Sequence, residues 1–254
     1  MAAAALAAAA SFFSRKAVTS HTTAMTAKIA IFIARWGGWP GWMPLLVRSL
    51  AANAAIDFHL LSEAPLRMQL PQNVIQHVLP LSELFKRMEA SVGLNLSLGE
   101  VDGTHTRKLP GRRGRTSDVS AAKTNDLKPL LGEALPEIVR GYAWWGYMQE
   151  DVLVGDMSVC LRGLLDRADV ISPFRPPANS SGLLMLFRNE ARVNRLWRGS
   201  ADAPRVLSDP RYLVFDEWWG SSKDNLAAVL GRAHDAGRIR LSAGIPRFIR
   251  VMMI

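Results

Sequence analysis

The apolar positions of the chain follow two periods, and their order indicates the class of fold. Continuous apolar runs rich in β-branched and aromatic residues predict buried strands, whereas apolar residues at helical spacing predict helices. The predicted strands are Ile29–Ile33, 56–64, Val74–Val78, 142–148 and 182–189, and the predicted helices are 43–54, one that begins near Ser82 as its N-cap, 126–140, and one that begins at Met157. This alternation favours an α/β fold with a mostly parallel sheet flanked by helices. Ligands of such sheets bind beyond the carboxyl ends of the strands, so the loops after residues 33 and 148 are the first places to look for a site.

The length and the composition predict one domain preceded by a separate segment. Of the 254 residues, 49% are hydrophobic, which suffices for a single core over residues 28–254. Residues 1–27 are rich in Ala, Ser and Thr, lack Asp and Glu, and carry Arg15 and Lys16 after an apolar run, as organellar transit peptides do. An organellar location is expected if the segment is a transit peptide and a cytoplasmic one otherwise, and translation from Met25 is the alternative. The apolar run is too short and too rich in alanine to span a bilayer, so no transmembrane segment is expected.

Positive charge is concentrated in the middle of the chain. The formal net charge is +9, and a Gly-rich stretch at about residues 95–119 carries five basic residues between Arg107 and Arg115, which predicts a flexible basic excursion from the domain. A basic surface suits phosphate-bearing partners, whether a nucleotide or a polymer. The excursion lacks interleaved aromatic residues, and no nucleic-acid-binding module is recognisable, so nucleic acid is not an expected partner.

Polar residues replace the apolar run directly after the strand at 142–148. Carboxylates at the carboxyl end of a strand can hold a divalent cation, and side chains separated by one residue project from the same side of an extended segment. Gln149 and Asp151 have that spacing, with Glu150 between them, so the segment predicts a cation site with one carboxylate where two would be usual. A turn that binds nothing is the alternative for so short an acidic cluster. The single Cys160 excludes a zinc site built from cysteines.

Six blocks of the chain follow one another in the order and spacing of a known family. They are "RWGGWPGWMPLLV" at 35–47, "AIDFHLLSE" at 55–63, "KTNDLKPLLG" at 123–132, "GYAWWGYMQEDVLVGD" at 141–156, "GLLMLFRN" at 182–189, and "FDE" at 215–217. Together they resemble an uncharacterised family with the glycosyltransferase A fold, found in bacteria, viruses and algae. The resemblance covers residues 28–220 and implies a glycosyltransferase A-like, Rossmann-like fold. It also implies transfer of a sugar from a nucleotide-diphosphate donor to a hydroxyl of a glycan or another acceptor.

The resemblance also implies the residues that hold the donor. Asp151 matches the second acid of the family's D-x-D motif and Gln149 its first, which implies a Mn²⁺ or Mg²⁺ cofactor whose binding the amide weakens. Arg35 lies in the loop expected to form part of the nucleotide pocket. Asp126 is implied as a hydrogen-bond partner of the nucleoside and Lys128 as a charge that offsets phosphate. For Asp126, a helix N-terminal acid favoured by the helix dipole is the alternative.

Two late carboxylates complete the implied site. An inverting transferase needs a base for the acceptor proton, and Asp216 and Glu217 match the block expected to supply it, although a surface turn accounts for them as well. Leu183 stands where the family often has a histidine. The departures at Gln149 and Leu183 support a second hypothesis, a catalytically impaired transferase-like protein that binds a glycan or a partner.

Overall fold

The computed structural model describes residues 28–96, 119–176, 178–220 and 222–242. The predictions made for residues 1–27 and for the basic excursion fall on residues outside these ranges, apart from the ends of the excursion. The elements in chain order are β1 (Ile29–Arg35), α1 (Met43–Ala51), β2 (Ile56–Ser62), β3 (Val74–Val78), α2 (Leu81–Val92), α3 (Val119–Leu127), a 3-10 helix (Lys128–Leu130), α4 (Leu131–Ala134), α5 (Pro136–Val139), β4 (Trp144–Met148), α6 (Met157–Leu161), β5 (Val170–Ile171), β6 (Leu184–Arg188), α7 (Ala191–Asn194), a second 3-10 helix (Leu196–Gly199), α8 (Ala203–Ser208), α9 (Leu226–Asp235) and β7 (Leu241–Ser242). None of the helices in the described ranges has both the length and the apolar character needed to cross a membrane.

Seven strands form one sheet in the order β3-β2-β1-β4-β6-β5-β7. β1 runs parallel to β2 and β4, β2 parallel to β3, and β5 parallel to β7, whereas β6 is antiparallel to both of its neighbours. The strand order turns back at β1, because the chain first moves outward to β3 and then returns to the other side of β1 as β4. The carboxyl end of β4 and the amino end of the reversed β6 therefore lie at the same edge of the sheet.

Alternate side chains of the central strands enter two apolar cores, one on each face of the sheet. Phe32 and Trp145 enter the first core, which α2, α4 and α9 cover, and Ile31 and Trp144 enter the second, which α1 and α6 cover. Strands buried on both faces explain why their sequences are continuous apolar runs. The prediction of an α/β fold with a mostly parallel sheet flanked by helices is confirmed.

Three predicted helices differ from the observed ones at the level of local geometry. The single helix predicted over 126–140 is broken into short pieces, because Pro129 and Pro136 lack the N–H donors that a continuous helix needs. Ser82 is not an N-cap, since α2 begins one residue earlier, after Pro80, without a side-chain cap. The helix predicted from Met157 ends at Leu161, and the carboxylate of Asp156 caps its start by accepting two backbone hydrogen bonds.

Candidate functional site

The candidate site lies beyond the carboxyl ends of β1 and β4, where the strand order turns back. Arg35 is the last residue of β1, and residues 149–151 directly follow β4. The guanidinium of Arg35 donates to the carboxylate of Glu150 and, at 2.9 Å, to the carbonyl of Gly38. The indole of Trp42 donates to the Glu150 carbonyl at 3.1 Å. Glu150 therefore joins the two strand ends that frame the crevice in which α/β sheets bind ligands.

Gln149 and Asp151 lie at this edge and are both partly exposed. The backbone N–H of Gln149 donates to the carbonyl of Leu183 at 3.1 Å, which brings the start of β6 against the end of β4. Within the described ranges, no group of three or more His, Cys, Asp or Glu residues is arranged to hold a metal ion. Mg²⁺ commonly takes only one or two carboxylates from a protein and its other ligands from water and substrate phosphates. One carboxylate and one amide oxygen would therefore suffice only for a cation whose other ligands come from water and a diphosphate.

Arg35, Gln149 and Asp151 form the rim of the site. A buried cluster of charged side chains, namely Asp126, Lys128, Asp216 and Glu217, adjoins this rim. Lys128 and Asp216 are almost or fully buried, at 3% and 0% exposure, and the Lys128 ammonium lies 3.5 Å from the Asp216 carboxylate. The ammonium also donates to the carbonyl of Gly182 at 2.9 Å. A Cβ at Gly182 would lie 2.5 Å from the Asp216 carboxylate and 2.7 Å from that of Glu217. The absence of a side chain at Gly182 thus allows both carboxylates to approach the start of β6.

The environment of the two carboxylates raises both of their pKa values. Burial raises the pKa of Asp216 to about 7, the charge of Glu217 adds to the rise, and Lys128 together with a hydrogen bond from the Tyr212 hydroxyl opposes it. Burial also raises the pKa of Glu217, while a hydrogen bond from the Gly182 backbone and the charge of Lys128 lower it. The pair therefore contains carboxyl groups that can exchange protons closer to neutral pH than an exposed acid does.

Tyr147 adds an unpaired hydroxyl to this buried region. The residue is fully buried on β4, and within the described residues its hydroxyl has no hydrogen-bond partner. Burial, followed by the charges of Asp216 and Glu217, raises the pKa of the Tyr147 phenol, so the group is a neutral donor. A buried polar group without a partner costs free energy, and such groups concentrate at functional positions.

Asp126 fixes the loop that carries the two carboxylates. Its fully buried carboxylate accepts hydrogen bonds from the backbone N–H of Leu213 at 2.8 Å and of Phe215 at 2.6 Å, and from the Lys123 ammonium at 2.8 Å. Between the two backbone donors lies Val214, whose φ of 66° places a β-branched residue in the left-handed region. Asp126 therefore holds a strained turn immediately before Asp216.

The seven predicted site residues form two groups at this edge. Arg35, Gln149 and Asp151 occupy the rim, and the other four lie in the buried cluster, namely Asp126, Lys128, Asp216 and Glu217. Their roles toward a nucleotide, a cation or an acceptor stay predictions. Asp126 has no exposed surface and already accepts hydrogen bonds from Lys123, Leu213 and Phe215, which favours a positioning role over direct contact with a nucleoside.

Four members of the site were not predicted from the sequence. Lys123 stands three residues before Asp126, and this helical ion-pair spacing is a signal that could have identified it. The period of two along β4 could have placed Tyr147 on the same face as Trp145. No sequence signal distinguishes Gly182 or Tyr212, because their importance comes from contacts with the loop at 213–217.

Two exposed tryptophans, Trp218 and Trp219, directly follow the buried carboxylates in the chain. Exposure rises from 0% at Asp216 to 9% at Glu217, 48% at Trp218 and 59% at Trp219. The amide of Asn225 donates to the carbonyls of Glu217 at 3.0 Å and Trp218 at 3.3 Å, so this stretch is held in place. The backbone at this point is therefore anchored, and two large aromatic side chains directly after the carboxylates are exposed at the surface.

Comparisons with known proteins give a family match and two structural likenesses. The model of a family of unknown function (DUF6625) matches residues 118–232. No curated protein matches the chain. Mouse xyloside xylosyltransferase 1 aligns with 82% of this chain and 83% of its own at 12% identity and a TM-score of 0.43. A protein assigned as a nucleotide-diphospho-sugar transferase from Desulfovibrio desulfuricans aligns with 84% of this chain and 77% of its own at 11% identity and a TM-score of 0.38. Both of these likenesses are distant.

Proposed function

We propose that the protein transfers a sugar from a nucleotide-diphosphate donor to a hydroxyl of an acceptor. One observation carries the proposal: charged residues of β1 and of the end of β4 pair with each other where the strand order turns back, and the loop at 213–217 brings two further carboxylates to the start of β6 at the same edge of the sheet. That position is where open α/β sheets bind nucleotides. The strand order with its single reversed strand β6 is also in keeping with the glycosyltransferase A fold that the sequence blocks indicate.

Arg35 and a bound cation would supply positive charge for the diphosphate of the donor. Arg35 has a partly exposed guanidinium, whose planar donors match phosphate oxygens. Asp151 and Gln149 would hold Mn²⁺ or Mg²⁺ together with the diphosphate, and the bound cation would neutralise charge on the departing group. Lys128 is buried against Asp216, so its charge acts first on the carboxylates.

The buried cluster supplies the base. Glu217 lies at the boundary between the buried cluster and the surface, which allows it to reach an acceptor hydroxyl, and its raised pKa suits proton exchange near neutral pH. Asp216 has no exposed surface, so it positions and tunes Glu217 through Lys128. Trp218 and Trp219 offer flat apolar faces next to Glu217, which suit the apolar face of a sugar ring and favour a glycan acceptor.

A donor screen tests the proposal directly. The full chain is incubated with a panel of nucleotide-diphosphate sugars and glycan acceptors in the presence of Mn²⁺ or Mg²⁺, and released nucleoside diphosphate is measured. Glu217→Gln should lower the rate by roughly 10²–10⁴-fold, because the base is lost while the side chain keeps its size. Asp151→Asn should weaken the dependence of the rate on the cation.

Glu190→Gln provides the control, since Glu190 is an exposed carboxylate at the other edge of the sheet and its ion pairs with described residues are those with Arg188 and Arg192. It should leave the rate unchanged. Absence of product with every donor, together with absence of calorimetric heat on addition of nucleoside diphosphates and cation, would sink the proposal.

The amide at Gln149 favours a second function, a transferase-like protein that binds a glycan or a partner without turnover. Gln149→Asp restores a second carboxylate at the rim, so calorimetry should show tighter Mn²⁺ binding, and turnover should appear only in the variant. If wild type turns over and the variant is no faster, this second function is excluded.

A further inference from the structure

A cavity lies at the edge of the sheet opposite to the candidate site. It has a volume of about 120 Å³ and lies between the segment 192–199 and α9. The strand register fixes its position, because Arg188 at the end of β6 pairs with Trp144 at the start of β4, whereas the candidate site adjoins Leu184 and Met148. The cavity therefore does not belong to the donor or acceptor site proposed above.

Arginine side chains dominate the lining of this cavity. Arg192, Arg195, Arg232 and Arg238 line it together with apolar atoms of Leu196, Val229 and Ala233. The part of the lining that the structure describes contains no Asp or Glu. Four arginines and no described carboxylate therefore contribute to the lining of this cavity.

The arginines around the cavity outnumber the carboxylates that pair with them. The six that form ion pairs are Arg188, Arg192, Arg195, Arg198, Arg232 and Arg240, and they share the carboxylates of Glu133, Asp169, Glu190 and Asp224. Arg238 forms no ion pair with any described residue. Seven guanidinium groups against four carboxylates leave an excess of three positive charges, which an anion in the cavity would reduce.

Hydrogen bonds to backbone carbonyls and to the carboxylate of Glu133 hold the guanidinium groups of Arg192, Arg195 and Arg232 in position. Arg232 donates to the carbonyl of Gly199 at 3.0 Å, and Arg192 donates to the carbonyl of Arg238 at 3.0 Å. Arg195 and Arg198 are both anchored on Glu133, whose side chain is only 10% exposed. Groups that are already ordered lose less side-chain entropy when they bind a ligand.

We propose that this cavity binds a phosphate or sulfate group. The guanidinium fork donates in pairs to the oxygens of such groups, and four forks can surround a tetrahedral oxyanion. A volume of about 120 Å³ compares with roughly 30 Å³ for one water molecule in the liquid. The cavity therefore admits one oxyanion and its nearest atoms but is smaller than the roughly 300–1,000 Å³ typical of pockets for larger ligands.

Titration calorimetry on the full chain tests the site, with inorganic phosphate as one probe and a hexose monophosphate as the other. Arg238→Gln should weaken binding without loss of an ion pair, and the double change Arg195→Gln with Arg238→Gln should weaken it at least tenfold. The matched control is Arg87→Gln with Arg205→Gln, since these two arginines are exposed and ion-paired away from the cavity. The control should bind as wild type does, and wild-type affinity should fall as salt rises.

Saturable binding of either probe that the cavity variants lose supports the site, and the tighter probe shows whether the oxyanion is free or carried on a sugar. No saturable binding of either probe, or equal affinity in the cavity variants and the control, overturns it. Because the experiment measures phosphate binding and no turnover, its outcome is separate from that of the donor screen.

Discussion

Asp126 shows how a single carboxylate can determine the geometry of a site that it does not face. It accepts hydrogen bonds from the residues on both sides of Val214, whose left-handed conformation costs roughly 1–3 kcal/mol. Such strain persists only where the surroundings over-determine it, and the Asp126 carboxylate with its Lys123 partner supplies that constraint. The direction in which Asp216 and Glu217 leave the turn follows from this arrangement.

Asp126→Asn tests this role. The variant leaves the Lys123 ammonium, 2% exposed, without its carboxylate, and breaking a buried ion pair from one side costs about 3–5 kcal/mol. Denaturant unfolding should show a loss of that order. Glu83→Gln is the control, because it makes the same chemical change in an exposed helical pair with Arg87 and should cost less than about 0.5 kcal/mol. Equal losses of unfolding free energy in the two variants would contradict the role of Asp126 in holding the turn at Val214.

Asp216 gives the stability a defined dependence on pH. Its pKa is about 7 in the folded chain and about 3.9 when unfolded, so the folded state holds the proton more tightly. The stabilisation is complete below about pH 4 and is lost as the pH rises through about 7. Asp216→Asn lacks this contribution, so the stability of wild type relative to the variant should decline across this window.

Wild type must be compared with Asp216→Asn, because His59 changes the stability of both proteins with pH in the opposite direction to Asp216. Burial lowers the pKa of His59 to about 4, so its neutral form adds stability as the pH rises through about 4 to 6.5. His59 is present in both proteins, and its effect cancels in the difference between their unfolding free energies. If the difference in unfolding free energy between wild type and Asp216→Asn does not change with pH, the raised pKa of Asp216 is refuted.

At the scale of elements, the sequence pattern predicted the sheet better than the helices around it. The strand at 29–33 was predicted from a continuous apolar run, as expected for a strand buried on both faces, whereas the strand predicted at 74–78 lies at the end of the strand order and is mostly half-buried. The pattern carries no information on strand direction, so the reversal of β6 became visible only in the pairing with β4. The region at 126–140 has helical spacing of apolar residues, but its prolines interrupt the backbone hydrogen bonds.

The site was predictable to the extent that it follows strand ends. Arg35 and residues 149–151 could be placed because Arg35 ends β1 and residues 149–151 directly follow β4. The ion pair between Arg35 and Glu150 could not, since it depends on β1 and β4 being neighbours in the sheet. The approach of Glu217 to Gly182 likewise depends on a loop whose conformation is set by Asp126, far away in sequence.

Gly132→Ala tests how α4 packs on β4. A Cβ at this position would lie 2.1 Å from the indole of Trp145, a fully buried side chain in the first core. Alanine normally stabilises a helix by roughly 0.5–1 kcal/mol relative to glycine, whereas overpacking costs about 1–3 kcal/mol. The variant should therefore unfold at lower denaturant concentration than wild type.

Gly41→Ala serves as the control, because nothing lies within 4 Å of a Cβ built at Gly41. It should leave the midpoint of unfolding nearly unchanged. A Gly132→Ala protein that is more stable than wild type would show that Trp145 can move aside and that α4 does not depend on this close contact.

At the scale of the whole molecule, the two edges of the sheet carry different chemistry. One edge brings Arg35, Asp151 and the buried carboxylates together near the switch in strand order. The other edge gathers arginines around a small cavity between the segment 192–199 and α9. The formal net charge of +9 is thus partly organised into a local excess at the second edge, and the two proposed sites for phosphate-bearing ligands lie at opposite edges of the sheet.

The pairing of β1 with β4 also affects how the chain folds. These strands are neighbours in the sheet, with Ile29 opposite Trp144, although β2, β3 and the helices α1 to α5 all lie between them in the chain. Closing so long a loop costs more conformational entropy than joining β1 to β2 or β2 to β3, and non-local pairing slows folding. Arg35 and Glu150 meet across this same boundary, so the site can form only after the most demanding loop closure is complete. A chain arrested with β1, β2 and β3 already paired would have much of its sheet but no binding crevice.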